Sequence, residues 1–404
     1  VSCTIGVMAY NEERNIVQVL CALLNQRIET VEIAEIVVVA SGCTDRTVEL
    51  AQEIARSHPL VRVEVQAERA GKAAAINRLI GIARGDVVVL VGADTLPAPW
   101  SIEHLVAPFA DETVGMTGAR VVPLNEPCDF IGFTVQMLWE FHHRLALRTP
   151  KLGEMVAFRN VVEAIPVSSA TDEVALEAAI KALGLRLVYA PDAVVYNRGP
   201  QTLEDFLHQR RRIYAGHLQI AASDGYVASS MPLGNVVPLL LDEIRQYPDR
   251  LAWVMGSVLV EGWGRVLGTL DYTRGKSHRI WRPIGTSKEV CRQYESLLLV
   301  MLQCCDGTLK PSALMRKARS MSPAQGTLLW WDHLRGQVLF MLPGEDARGA
   351  LEERIAALAA EIGFRYPSAT SPVLAYHVLD FGPRPVPAET RTDEDGLQAL
   401  ALGA

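Results

Sequence analysis

The chain has 404 residues, 49% hydrophobic and 21% charged, which excludes a chain that is disordered throughout. That length accommodates two or three domains. A formal net charge of −7 excludes the basic footprint of a general nucleic-acid binder.

In chain order, the first half alternates apolar β-branched runs with helical patterns. Strands are expected at Cys3–Met8, Glu35–Val39, Val61–Val65 and Asp86–Val91. Helices are expected from Asn11, from Thr44 or Asp45 as a cap, and from Gly71-Lys72 to Ala83. This alternation predicts a mostly parallel sheet with helices on both faces. Ligands then bind at the carboxyl ends of strands, so Ala9 to Glu12, Ala40 to Asp45 and Gly92 to Thr95 are the positions of interest. Further on, V-G-M-T-G-A-R-V-V-P reads as an edge strand and Phe130–Leu147 as a long helix. Residues 153–160 read as a strand and turn, 171–184 as a helix closed by Gly184, 185–196 as a strand pair, and 201–217 as a basic helix.

Residues 226–290 read as a helical connector. Its most apolar part, 251–268, is interrupted by Glu261 and Arg265 and so reads as buried or interfacial rather than membrane-spanning. Residues 291–383 follow a β-α-β-β-α-β order, which predicts an α+β ferredoxin-like domain. The tail from 384 to 404 is Pro-rich, then acidic, and reads as disordered. The start of the chain shows no signal-peptide pattern. The seven cysteines form no C-x-x-C pair, and Cys304-Cys305 fits no zinc spacing. Unpatterned thiols are expected in a reducing, cytoplasmic compartment.

Six segments occur in a fixed order over the first 220 residues. They are A-Y-N-E-E-R-N (9–15), V-V-V-A-S-G-C-T-D-R-T (37–47), G-K-A-A-A-I-N (71–77), G-A-D-T (92–95), T-D-E (171–173) and Q-R-R-R-I (209–213). Together they resemble a family 2 inverting glycosyltransferase with the GT-A fold. The resemblance implies a Rossmann-like catalytic domain over residues 1–225, of hexosyltransferase type. It implies a UDP- or GDP-sugar donor, a Mg or Mn cofactor, and a glycan or lipid-linked acceptor of the kind met in polysaccharide biosynthesis. Peripheral membrane contact and a dimer are also expected.

The resemblance further implies roles for residues. Ala9, Tyr10, Asn11, Glu12, Ser41 and Lys72 would bind the donor, joined by Gln209 and Arg212. Ala40 and Ser41 stand where the family usually keeps an Asp that reads the base. The family's Asp-x-Asp metal motif is Gly92-Ala93-Asp94 here and keeps only the second acid, Asp94, with His217 as a late metal or phosphate contact. Asp172 and Glu173 jointly would be the catalytic pair, one taking the proton and the other orienting it. Ile213 replaces the Trp of processive members. Trp139, His143 and Arg159 would line the acceptor cleft. Residues 274–288 are basic and would lie on a membrane surface or over the donor as a lid.

Residues 336–362 carry a fainter resemblance to the second half of a GGDEF domain. Its signature falls on Leu334-Arg335-Gly336-Gln337-Val338, which lacks the acids and the glycine pair. This implies regulation or dimerisation rather than cyclase activity. The alternative for the whole chain is a catalytically weak nucleotide or nucleotide-sugar binding protein with a regulatory C-terminal domain.

Overall fold

A computed structural model describes residues 1–125, 129–246 and 248–278, and four later strands. Two compact units form. One holds Val1–Pro123 and Thr134–Val290, the other Leu124–Phe133 and Cys291–Ala404.

The first unit is built on β1 (Ser2–Ala9), β2 (Glu32–Ser41), β3 (Val61–Gln66), β4 (Val87–Gly92), β5 (Thr95–Pro97), β6 (Val114–Pro123), β7 (Val156–Arg159) and β8 (Arg186–Asn197). Their order is β3-β2-β1-β4-β7-β6-β8-β5. The first four are parallel, and β7 runs antiparallel between β4 and β6. This mixed sheet matches the GT-A, Rossmann-like expectation.

The central strands bury both faces because their apolar residues do not alternate with polar ones. Ile5, Val7, Ile36, Val38, Val87 and Val89 face α1 (Ile16–Leu24), α2 (Thr47–Ser57) and α4 (Ser101–Val106). Val37, Val39, Val88 and Leu90 face α3 (Lys72–Ile80) and α6 (Asp172–Ala182). Each such side chain contributes about 1.5–3 kcal/mol on burial.

Three expectations are corrected. The first helix starts at Ile16, not Asn11, because Asn11 adopts φ 52° and the chain turns through Glu12 before the helix begins. The strand β6 is not an edge: it lies between β7 and β8, with all ten residues buried. The expected strand pair at 185–196 is the single strand β8. Its register against β6 jumps from Ala119↔Ala190 to Arg120↔Val194, so Pro191, which has no N–H to donate, stands in the irregularity.

Helix α5 (Phe130–Ala146) is followed beyond the sheet by α7 (Leu203–Asp224), α8 (Leu233–Gln246) and α9 (Leu251–Thr273). Thr202 caps α7 by accepting from the Asp205 N–H at 3.2 Å, and Gly225 ends it at φ 65°. The contact of α7 with α9 depends on two glycines one turn apart. A Cβ on Gly264 would stand 2.8 Å from Arg210 Cβ, and one on Gly268 would stand 2.7 Å from the Arg211 carbonyl oxygen. Gly268→Ala is therefore expected to destabilise the fold by about 1–3 kcal/mol, since a backbone carbonyl cannot rotate away. Gly262→Ala in the same helix meets open space and is expected to stabilise by up to about 1 kcal/mol. Thermal unfolding of the two variants should move Tm in opposite directions.

On α8 and α9 an apolar stripe is exposed, including Leu233, Val237, Leu241, Met255, Leu259 and Trp263. Among the described residues no helix is long and apolar enough to cross a membrane.

In the second unit β9 (Leu297–Cys304), β10 (Thr327–Asp332), β11 (Gln337–Pro343) and β12 (Leu374–Asp380) form one antiparallel sheet, ordered β10-β11-β9-β12. The helices expected between these strands lie outside the described residues. So do the tail, residues 334–336 of the expected GGDEF-like segment, and most of the basic 274–288 segment.

Candidate active site

The carboxyl ends of β1, β2 and β4 open into a cavity of about 570 Å³, closed on its other sides by α5, α6, α7, α8 and α9. Parallel strands place their following loops on one edge of a sheet, which brings Ala9, Tyr10 and Glu12 beside Ser41 and Asp94.

At the end of the cavity formed by the loop after β1, the Arg69 guanidinium stacks 3.8 Å from the centre of the Tyr10 ring. The Ser41 hydroxyl is buried in the cavity wall with no partner among the described residues. Asn11, expected to touch the donor, is not in the wall. It ties the first loop to the second, since its Oδ1 accepts from the Thr44 N–H at 2.8 Å.

Asp94 lines the cavity just after β4. A Cβ on Gly92 would stand 2.7 Å from the Asp94 Oδ1, so the carboxylate occupies the space that a side chain at 92 would need. Glu154, at φ 58°, is a second carboxyl of this wall. Burial pushes it up to about 7, and the charges of Asp94 and Glu173 add to the effect.

Asp172 and Glu173 open α6, where the helix dipole favours acids, and both reach the cavity. Lys72, at the start of α3, donates to Glu173 Oε1 at 2.6 Å and lies 3.8 Å from Asp172 Oδ2. Burial opposes the Lys72 charge, yet the two carboxylates outweigh it and hold the ammonium above its ordinary range. The pair splits. Asp172, the more buried, is pushed up to about 6 by desolvation, and its Oδ1 has no hydrogen-bond partner among the described residues. Burial acts against the Glu173 charge as well, but Lys72 overrides it and keeps Glu173 below the usual range.

The three arginines of α7 diverge, as residues 100° apart on a helix must. Arg210 grips Glu261 of α9 through two bonds of 2.6 and 2.9 Å, and Arg211 pairs with Asp271. Arg212 alone reaches the acid cluster. It donates to the Ala170 carbonyl at 2.9 Å, and although burial lowers its pKa it remains a cation held by Asp172, Glu173 and Glu154. Gln209 also lines the cavity.

Two residues expected at the acceptor cleft are elsewhere. His143 is buried against Tyr189, its Nδ1 2.8 Å from the phenol oxygen, while its neighbour His142 enters the cavity beside Trp139. Arg159 pairs with Val87, at the end of β4 remote from Gly92. It is spent on the carbonyls of Val114, Phe109 and Asp111. His217 does line the cavity, but burial holds it down to about 3, and Lys151, Arg210 and Arg265 push the same way. The cations around this imidazole disfavour a metal ion beside it.

Among the described residues no group of three or more His, Cys, Asp or Glu side chains is arranged to hold a metal. The donor set instead fits Mg or Mn with an incomplete protein shell. Such an ion keeps several waters and needs one or two carboxylates plus phosphate oxygens. Asp94 would supply the carboxylate, with Glu154 close enough to feel its charge.

Residues 4–158 match the family model described as glycosyl transferase family 2, and residues 87–266 match that of glycosyl transferase family group 2. A comparison with curated proteins finds no match. Among solved structures, the chain is similar to a mannosyltransferase from Pyrobaculum calidifontis in complex with GDP-Man and Mn2+. The identity is 24% and the TM-score 0.48, over 68% of this chain and 88% of that one. It is also similar to glucosyl-3-phosphoglycerate synthase from Mycobacterium tuberculosis in complex with Mn2+, UDP-glucose and phosphoglyceric acid. There the identity is 19% and the TM-score 0.39, over 54% and 79% of the two chains. The two family matches, which together run from Thr4 to Val266, support a family 2 glycosyltransferase over that span.

Proposed function

We propose that the protein moves a hexosyl group from a UDP- or GDP-sugar to an acceptor hydroxyl with inversion, assisted by Mg or Mn. One observation carries this reading: a single cavity joins Asp94, the Arg69–Tyr10 stack and the Lys72–Asp172–Glu173–Arg212 cluster. The nucleoside lies against Tyr10, and Ser41 offers its unpartnered hydroxyl to the base. Asp94 holds the divalent ion, which when bound neutralises the diphosphate. Arg212 supports the same leaving charge.

Glu173 is more exposed than Asp172 and faces the acceptor. It takes the acceptor hydroxyl proton as that oxygen bonds to the anomeric carbon and the bond to the diphosphate breaks. Asp172 fixes Lys72 from the buried side. The exposed stripe of α8 and α9 supports contact with a membrane surface within the same reading.

The test is turnover of a panel of UDP- and GDP-sugars by the full chain with Mn2+, with and without EDTA. Metal-dependent release of one nucleotide diphosphate is expected. If no donor turns over and no nucleotide binds in Mn2+, the reading fails.

A further inference from the structure

The cavity has a second half that the donor chemistry does not use. Beyond Trp139 it runs between α5, α8 and α9, walled by Leu138, Leu233, Val237, Leu240, Val258 and Gly262. At its junction with the acid cluster stands Lys151, which forms no ion pair or hydrogen bond with any described residue. The charges around it come from four of the helices that adjoin the cavity. Arg210 and His217 lie on α7, Glu177 on α6, Glu261 and Arg265 on α9, and His142 on α5.

Glu261 is already shared by two arginines, at 2.6 Å from Arg210 and 3.0 Å from Arg265. Glu177 accepts from the Leu152 N–H and from the Tyr226 hydroxyl, each at 2.7 Å. The two arginines thus share Glu261, and Glu177 is taken by Leu152 and Tyr226, so Lys151 has no carboxylate of its own. Both histidines are held neutral, chiefly by burial, and supply no counter-charge. A cation left unpaired in a partly apolar wall lacks the counter-ion that would offset its desolvation.

Resting on the glycosyltransferase reading, we propose that the acceptor carries an anionic phosphate group that binds Lys151, with an apolar portion lying along α8 and α9. The phosphate supplies the missing counter-ion, and the acceptor hydroxyl then points toward Glu173. A lipid phosphate and a free phosphate ester share this headgroup chemistry.

Burial first, and then Arg210, pull the Lys151 ammonium down to about 8. Its charge, and hence its hold on a phosphate, therefore fades as pH rises through that value.

Calorimetric binding to the full chain tests the proposal, with decyl phosphate and butyl phosphate as probes and UDP with Mn2+ titrated separately. Lys151→Met should weaken decyl phosphate by about tenfold or more and leave UDP with Mn2+ unchanged, whereas Lys151→Arg should retain both. Between pH 7.5 and 9.5 binding should weaken in the wild type and hold in Lys151→Arg. Tighter binding of decyl than butyl phosphate, lost in Gly262→Leu, identifies an amphiphilic acceptor. Equal binding of the two overturns the apolar portion of the proposal. The proposal is overturned if neither phosphate binds, if Lys151→Met binds decyl phosphate like the wild type, or if that variant loses UDP equally. Failure of UDP with Mn2+ to bind the wild type would instead sink the donor reading and leave the Lys151 result standing.

Discussion

Asp94→Asn is expected to lower kcat/KM for the nucleotide sugar roughly 100- to 1,000-fold, the usual loss when one well-placed stabiliser of leaving-group charge is removed. The change keeps shape and removes only the charge that attracts the cation. Nucleotide affinity in Mn2+ should then fall to its value in EDTA. A variant that keeps metal-dependent affinity would show that Asp94 is an ordinary turn residue.

A pH dependence accompanies this result. Burial raises Glu154 to about 7 and Asp172 to about 6, so the folded protein holds these protons where the unfolded chain has lost them. Their contribution to stability is full below about pH 4 and is lost as pH rises toward 7. A cation beside Asp94 relieves that loss. Mn2+ should therefore raise Tm more at pH 8 than at pH 5, and the difference should vanish in Asp94→Asn.

Glu173→Gln is expected to reduce kcat by about 10²–10⁴-fold, the range typical of a lost general base, with little change in donor Kd. Asp172→Asn should cost less, because its carboxylate acts through Lys72 rather than on the acceptor. Lys72 supplies an independent check. It stabilises the charged form of Glu173 across 2.6 Å, so Lys72→Met should raise the Glu173 pKa and move the acid limb of the kcat/KM profile to higher pH. If Asp172→Asn is the more damaging change and Lys72→Met leaves the profile in place, the proton goes to Asp172 instead.

The residues legible in the sequence are those that end apolar runs. Ala9, Tyr10, Glu12, Ser41 and Asp94 were readable because a parallel sheet puts every strand's carboxyl end on one edge. Asp172, Glu173 and Arg212 came only from the order of motifs, since nothing local brings α6 and α7 to that edge. Arg159 was misplaced because its position depends on β7 running antiparallel to β4, which reverses which end of the strand meets the cavity. His143 and His142 differ by one helical step, and no periodicity in α5 says which of them faces in. Lys151, Glu154 and Glu177 belong to no pattern. The one local signal was at Glu154, a charged residue held at positive φ, and backbone angles are not written in a sequence.

The space between Gly92 and Asp94 bears on how this site can change. With Oδ1 of Asp94 already where a side chain at 92 would begin, Gly92→Asp does not simply add a second acid. The newcomer displaces the carboxylate already present, so the two positions are coupled and their effects on metal affinity will not sum. The lone acid is therefore better seen as a self-contained arrangement than as half of a broken pair, since a second acid at 92 would first have to move the one at 94.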